Sequence, residues 1–230
     1  MNRPATAGSV ILLVVAYLVG SVPVAWMLGR WRDGVDLRDV GSGNPGTSNL
    51  FRNAGVGRAM FSGPMQFAQG AVPVLIARAA GGGDVLLDLV AGCAVLGNGW
   101  PIWMRFNGQR CIAVATGAVA ALNPALLAVL LVCFAAGALT HAIAVGVLAG
   151  FAVLPIAAAW IGGRGLAITC VAMLVAVVLR RLEGLRADLR RTASDEERRV
   201  LLRRLFLDER PGQVLVGPRT EPDGAGPGCI

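Results

Sequence analysis

The chain has 230 residues, of which 55% are hydrophobic and only 15% are charged, and its formal net charge is +7. Soluble domains carry about 25% charged residues, so this composition excludes an ordinary water-soluble protein and indicates an integral membrane protein. All 21 basic residues are arginines, which excludes any mechanism that needs a lysine amine. The only histidine is His141, so a metal site built from several histidines is excluded as well.

Several apolar stretches approach the length of about 20 residues that a bilayer core requires. They run over 10–28, 59–77, 85–104, 111–161 and 166–179. If the arginine-rich connections all lie on one side, the run 111–161 must hold three short crossings, with breaks at Asn123-Pro124 and at Gly137. Two crossings are the alternative. We therefore expect an all-α, polytopic membrane protein with about seven transmembrane helices, some of them short.

The distribution of arginine predicts the orientation, because short connections rich in arginine stay in the cytoplasm. Five arginines lie in 30–58 and two in 105–110, and the chain beyond 180 is rich in them, whereas 78–84 and 162–165 hold one each. The N-terminus is therefore predicted outside and the C-terminus in the cytoplasm.

The loop between the first two apolar stretches has the composition of an anion-binding loop. Glycines allow sharp turns and close approach to a ligand, and successive backbone N–H groups can then converge on phosphate oxygens. Hydroxyl and amide side chains add hydrogen-bonding groups, and an arginine adds a planar cation suited to two-point phosphate binding. The residues of these types are Gly41, Ser42, Gly43, Asn44, Gly46, Thr47, Ser48, Asn49 and Arg52. The alternative is an ordinary turn-rich loop with one solvated arginine.

Composition divides the chain into three parts. Residues 1–180 form the predicted transmembrane domain. In 181–210, arginines alternate with leucines at helical spacing, which predicts a basic amphipathic segment on the cytoplasmic face; it would lie on anionic lipid or pack on the protein's own loops. Residues 211–230 are rich in glycine and proline and are predicted to be a disordered tail.

No metal site or organic cofactor is predicted. The five cysteines show no CxxC pairing and are typical of small buried apolar residues. Asp36 and Asp39 flank the glycine-rich loop but are too few to hold a divalent ion unaided.

Two motifs carry a resemblance to a known family. The sequence YLVGSVP at 17–23 and the sequence GSGNPGTSNLFR at 41–52 resemble signatures of the acyl-phosphate-dependent glycerol-3-phosphate acyltransferases, small bacterial membrane enzymes of seven helices. In that family a fatty acyl group moves from acyl-phosphate to the 1-hydroxyl of glycerol 3-phosphate, giving lysophosphatidate for phospholipid synthesis. The resemblance implies a location in the bacterial cytoplasmic (inner) membrane, with the lipid bilayer and these two substrates, or a related phosphorylated alcohol, as partners. It implies no nucleic acid and no cofactor.

The resemblance also implies roles for particular residues. Ser42 and Arg52 match residues that line the site and bind phosphate, and Arg110 keeps a cation where the family has a lysine. We therefore expect Ser42, Arg52 and Arg110 to act in catalysis. The expected phosphate-binding residues are Gly41, Gly43, Asn44, Gly46, Thr47, Ser48, Asn49 and Gly108.

Other family motifs are altered in this chain. Gln69 replaces a lysine and Gln66 an aspartate in the second motif. In the third, Asn98 replaces a histidine and Asn107 a lysine. The segment 180–184 lacks the histidine and asparagine of the last motif, with Arg181 at the histidine position. Fewer cations should weaken phosphate binding, at about 1.5 to 3 kcal/mol per hydrogen bond to a charged group. The compensating cations could be Arg78, Arg105 or Arg181.

Two further functions remain as alternatives. A family member with impaired catalysis could bind a phosphorylated lipid or a partner as a regulatory or assembly protein. A transporter of an organic phosphate is less favoured, since few polar residues lie within the apolar stretches. Acyltransferases with a His-x4-Asp pair are excluded, because Gly146 stands five residues after His141. His141 itself is more readily interpreted as a neutral histidine bonded within its helix than as a catalytic group.

Overall fold

The computed structural model describes residues 7–183, and this part of the chain folds into nine α-helices and one short 3-10 helix. The helices are α1 (Ala7–Ser21), α2 (Val24–Asp33), α3 (Thr47–Ala54), α4 (Val56–Ala79), α5 (Asp84–Gly99), α6 (Ile112–Leu122), α7 (Pro124–Leu139), α8 (Ile143–Ile161) and α9 (Gly163–Leu182), with the 3-10 helix at Ile102–Met104. The all-α prediction is confirmed. The predicted tail 211–230 and nearly all of the predicted segment 181–210 lie outside the described residues.

Four helical segments of the described chain are long and apolar enough to cross a membrane. They are Ala7–Trp31, Asp84–Met104, Ile143–Ile161 and Gly163–Leu182. Helix α4, with 24 residues, is longer than three of these segments but is not one of the four, and it carries Gln66 and Gln69 in its middle. The prediction of an integral membrane protein agrees with this pattern.

The run 111–161 forms three helices, α6, α7 and α8. The predicted break at Asn123 is confirmed: its Oδ1 accepts a hydrogen bond of 2.9 Å from the N–H of Ala125, and Pro124 opens the next helix. The predicted break at Gly137 is wrong, because α7 continues to Leu139. Gly137 instead lies against Gly146 of α8, where an added Cβ would come within 2.8 Å of the Gly146 Cα. Small residues at such a crossing let two membrane helices approach closely.

A buried apolar core joins the long helices. Its fully buried side chains include Val74 of α4, Val90 of α5, Val114 of α6, Phe151 of α8 and Met173 of α9. Large apolar side chains on the outer faces are exposed, as expected of surfaces that face lipid. The core therefore fixes the helices against one another and leaves the connections at one end of the bundle to form a site.

Candidate active site

A cavity of about 320 Å³ lies at one end of the helix bundle. Three parts of the chain line it: the loop before α3, the loop before α6 and the end of α9. The lining residues are Arg38, Ser42, Gly43, Asn44, Pro45, Asn107, Gly108, Arg110, Arg180 and Glu183. Of the predicted site residues, the cavity thus brings together Ser42, Gly43, Asn44, Gly108 and Arg110.

The buried side chain of Asn49 shapes the first loop. Its Nδ2 donates to the carbonyl oxygens of Leu37, at 2.8 Å, and Val40, at 3.0 Å. Its Oδ1 accepts from the N–H of Ser42 at 3.2 Å and from Nδ2 of Asn53 at 3.0 Å. Both amide donors are used within the protein, so in this structure Asn49 positions the loop and does not line the cavity.

Glycine is required at the turn that carries Ser42. Gly41 has a φ of +53°, a conformation that side chains with a Cβ rarely adopt, and an added Cβ would lie 2.3 Å from Oδ1 of Asn49. Gly43 also has a positive φ, of +67°. These turns bring Ser42 and Asn44 to the cavity, where the Ser42 Oγ accepts a long hydrogen bond of 3.4 Å from the N–H of Asn44.

The remaining residues of the predicted anion-binding loop lie on α3 or at its start. Gly46 is the N-cap, and the Thr47 hydroxyl shares a hydrogen bond of 2.8 Å with Ser62 of α4. Ser48 and Arg52 are exposed. None of these four residues, Gly46, Thr47, Ser48 and Arg52, lines the cavity. Arg52 lies in the last turn of α3.

Arg180 holds the second loop against the end of α9. Its Nε donates to the carbonyl oxygen of Gln109 at 3.1 Å, and its Nη2 donates to the carbonyl oxygen of Gly108 and to Oδ1 of Asn107. Sequence reasoning missed this residue and proposed its neighbour Arg181. Both arginines are buried, but Arg181 donates to the carbonyl oxygen of Ala144 at 3.1 Å, away from the cavity lining.

The second loop also packs closely on the end of α5. The N–H of Gly108 donates to the carbonyl oxygen of Gly99 at 3.1 Å, and the N–H of Gln109 donates to that of Asn98 at 3.0 Å. A Cβ on Gly108 would lie 2.3 Å from the Asn98 oxygen. This close approach explains why the loop needs glycine at position 108.

Each of two cavity arginines has a carboxylate partner. Arg38 donates to Asp36 through Nη2 at 2.6 Å and through Nε at 3.0 Å, and the Trp26 indole also donates to Asp36 at 3.0 Å. The hydrogen bond from Arg38 is the largest cause that lowers the pKa of Asp36 to about 2. The second pair joins Arg180 to Glu183. Both carboxylates reduce the positive charge of the cavity.

Trp100 contacts both members of the pair formed by Arg180 and Glu183. Its indole Nε1 donates to Oε1 of Glu183 at 2.8 Å, and its ring lies 5.7 Å from the Arg180 guanidinium carbon, within the range of a cation–π contact. The Trp100 carbonyl oxygen accepts a hydrogen bond of 2.7 Å from the hydroxyl of Tyr17. The first helix therefore supports this side of the cavity.

Most of the altered motif positions lie away from the cavity. Gln69 donates to the carbonyl oxygens of Val19 and Val22, at 2.8 and 2.9 Å, where α1 ends and the helical hydrogen bonding is interrupted. Gln66 donates to the hydroxyl of Ser62 at 3.0 Å, and Asn98 is buried beside α1. Of the four replacements Gln66, Gln69, Asn98 and Asn107, only Asn107 lines the cavity, together with Arg110, which keeps the cation of its motif position.

The other candidate cations are also outside the lining. Arg78 donates to the carbonyl oxygen of Leu122 at 3.0 Å, and neither Arg78 nor Arg105 lines the cavity. His141 is exposed in the turn between α7 and α8, with a φ of +55°.

Comparison with known proteins identifies relatives over most of the chain. A sequence model of the family described as glycerol-3-phosphate acyltransferase matches residues 10–190. Glycerol-3-phosphate acyltransferase 5 of Dehalococcoides mccartyi is 31% identical over 96% of this chain and 98% of its own length. The glycerol-3-phosphate acyltransferase of Rubrobacter xylanophilus is 44% identical over 50% of this chain, and the match spans about half, 57%, of that relative.

Solved structures show the same fold. The crystal structure of PlsY, an integral membrane glycerol 3-phosphate acyltransferase, in its glycerol 3-phosphate form has a TM-score of 0.73 to this chain. The similarity covers 80% of this chain and 93% of PlsY, at 24% sequence identity. The lysophosphatidic acid form gives a TM-score of 0.69. Because the family model matches most of the chain, a relative is similar over nearly its full length and the fold is the same, this chain belongs to the glycerol-3-phosphate acyltransferase family.

Proposed function

We propose that this protein transfers a fatty acyl group from acyl-phosphate to the 1-hydroxyl of glycerol 3-phosphate. The observation that carries the proposal is the cavity in which Ser42 and its glycine-rich loop face Arg110 and Arg180. Both substrates carry phosphate groups, and arginines together with backbone N–H groups are suited to bind them. Membership of the acyltransferase family supports the reaction class.

The reaction asks mainly for positioning and charge stabilisation. The acceptor oxygen attacks the acyl carbonyl carbon and forms the ester bond, the bond from that carbon to the phosphate oxygen breaks, and inorganic phosphate leaves and takes up the hydroxyl proton. Acyl-phosphate is already activated, so holding both substrates in line contributes much of the rate. Arg110 is buried beside the cavity and is placed to stabilise charge on a phosphate. Ser42 can hydrogen-bond to the same group.

We also propose seven crossings, made by α1 and by α4 to α9. Such a path requires the ends of the helices to alternate between two sides. The contact of Arg78 with Leu122 joins the ends of α4 and α6, and that of Arg181 with Ala144 joins the end of α9 to the start of α8. The arginine-rich connections share the cavity side, which supports a cytoplasmic cavity in a bacterial inner membrane, with the N-terminus outside.

A second candidate is a phosphate-binding family member that does not turn over. The observation that favours it is the pairing of Arg38 with Asp36 and of Arg180 with Glu183, because both carboxylates oppose the binding of an anion. This candidate keeps the cavity and its ligand class but lacks the transfer step.

The test is acyl transfer by the purified protein in lipid, with palmitoyl-phosphate and labelled glycerol 3-phosphate. Arg110→Ala should lower kcat/KM by about 10- to 100-fold, as expected for the loss of a hydrogen bond from a charged group. Arg164→Ala is the matched control, because Arg164 is exposed in the first turn of α9 and does not line the cavity. Arg52→Ala measures whether the exposed arginine of α3 also contributes.

The outcome distinguishes the two candidates. Labelled lysophosphatidate that depends on Arg110 establishes the acyltransferase. Absence of product, with glycerol 3-phosphate still bound through Arg110, favours the binding protein. Absence of both product and binding refutes both candidates.

A further inference from the structure

The cavity is suited to phosphate, yet the carboxylate of Glu183 also lines it. A negative charge at this place opposes the binding of an anion and calls for an explanation. We propose that Glu183 is an exchangeable counter-ion of Arg180, which a substrate phosphate displaces, so that Glu183 sets the affinity of the cavity for phosphate. The proposal rests on the proposed function, in which the ligands are phosphorylated substrates. It adds a residue that tunes their binding.

The contacts of Arg180 divide into a fixed and an exchangeable set. Nε and Nη2 donate to the loop that contains Gly108, whereas Nη1 faces Glu183. The Arg180 side chain is only 5% exposed, while that of Glu183 is 41% exposed. The arginine is therefore held in place by the loop, and Glu183 can move away without breaking those hydrogen bonds.

Asp36, the carboxylate paired with the cavity arginine Arg38, shows the contrast, and it lies outside the cavity lining. The Asp36 side chain is 10% exposed and accepts hydrogen bonds from the Arg38 backbone, from the Arg38 guanidinium at two oxygens, and from the Trp26 indole. Glu183 has two partners, Arg180 and Trp100. Asp36 is thus a fixed part of the loop, and Glu183 is the carboxylate that a ligand can replace.

Charge balance gives the exchange its direction. A buried guanidinium is costly without an anionic partner. Glu183 supplies that partner through an ion pair when the cavity is empty, and a phosphate oxygen can supply it when a substrate is bound, with a charge-assisted hydrogen bond. The energy spent on releasing Glu183 is then subtracted from the affinity for phosphate.

The first experiment measures the binding of inorganic phosphate to the full-length protein in lipid nanodiscs by calorimetry. Glu183→Gln keeps the size of the side chain and its acceptor for Trp100 but removes the charge. We expect phosphate to bind about three- to tenfold more tightly. Asp39→Asn is the matched control: it removes one charge from an exposed residue of the neighbouring loop that does not line the cavity, and should change the Kd less than twofold.

Two further variants keep the test decisive. Glu183→Asp retains the charge but shortens the side chain, so a smaller tightening is expected if the contact with Arg180 matters. In an Arg180→Gln background, Glu183→Gln should no longer tighten binding, because the partner is gone. Thermal unfolding of each variant establishes that it is folded.

Several results would overturn the proposal. Unchanged or weaker phosphate binding in Glu183→Gln is one. A fall in kcat with an unchanged phosphate Kd is another, since it would make Glu183 a base for the acceptor hydroxyl. The same tightening in the Arg180→Gln background would reduce the effect to long-range charge.

The two proposals fail separately. A wild-type protein that shows no acyl transfer, while Glu183→Gln still tightens phosphate binding, would overturn the proposed enzyme and support the counter-ion. Acyl transfer without any effect of Glu183→Gln on phosphate binding would leave the enzyme and overturn the counter-ion.

Discussion

Asn49→Ala should lower both the stability of the protein and its acyl-transfer activity, although Asn49 does not line the cavity. The substitution removes three hydrogen bonds to the backbone of 37–42 and one to Asn53. At about 1 kcal/mol for each net hydrogen bond, with some relief from water that enters the space, we expect the free energy of unfolding to fall by about 2 to 4 kcal/mol. The loop that carries Ser42 loses its support at the same time.

The activity should fall further than the stability alone explains. A displacement of about 1 Å in positioning groups can cost about 100-fold in rate. We therefore expect kcat/KM, normalised to folded protein, to drop about 100-fold in the acyl-transfer assay, and hydrogen exchange to accelerate at Ser42.

Asn123→Ala provides the matched control. Asn123 is also an asparagine whose side chain bonds to the backbone, but it caps α7 and does not line the cavity. Its loss should cost about 1 kcal/mol of stability and leave activity per folded molecule unchanged. If Asn49→Ala retained more than a fifth of wild-type activity, the idea that this amide positions the loop would be refuted.

Two more predictions concern residues outside the cavity lining. Gln69→Ala should lower the free energy of unfolding by about 1 to 3 kcal/mol, because two carbonyl oxygens at the end of α1 lose their donor. Activity per folded molecule should stay within about threefold of wild type. A large fall in kcat would mean instead that Gln69 acts in the site. The pKa of Asp36 is lowered to about 2 from an ordinary value of 3.8, so its stabilising effect is present above pH 4 and is lost as the pH falls through 2. Thermal unfolding of wild type and Asp36→Asn should therefore differ at pH 7 and converge towards pH 2, and a constant difference across this range would contradict the assignment.

The sequence was most informative where local chemistry decides the structure. Asn123-Pro124 is both a cap and a helix start, so the break there could be predicted from two residues. At Gly137 the same kind of reasoning failed. A glycine lowers helix propensity in water, but in a membrane helix it also permits close packing, and only the position of Gly146 shows which effect prevails.

The composition of the cavity could be predicted only in part. The composition of the glycine-rich loop predicted Ser42 and Asn44 as site residues, and the cation retained at a family lysine position predicted Arg110; all three line the cavity. Whether Arg180 or Arg181 faces the cavity depends on the rotation of α9, which adjacent identical residues cannot reveal. Arg52 follows the same logic, since α3 turns its side chain to the exposed surface.

The altered second motif shows how composition can mislead. The replacement of a family lysine by Gln69 suggested a missing phosphate contact. In the structure this position caps the broken end of α1, a task that a neutral amide performs with its two donors. Counting lost cations along the sequence therefore exaggerates the damage to the cavity.

The lengths of α5 and α6 have a consequence for where the reaction takes place. Helix α5 reaches membrane-spanning length only together with the 3-10 helix that ends at Met104. Alone, α5 has 16 residues and α6 has 11, which at about 1.5 Å per residue gives roughly 24 and 16 Å, against about 30 Å for the hydrocarbon core. Under the proposed topology, the connection between them lies below the cytoplasmic surface of the bilayer. Under the proposed function as well, the glycerol 3-phosphate would have to descend below this surface to reach the fatty acyl donor, so we expect the thickness of the host membrane to affect turnover.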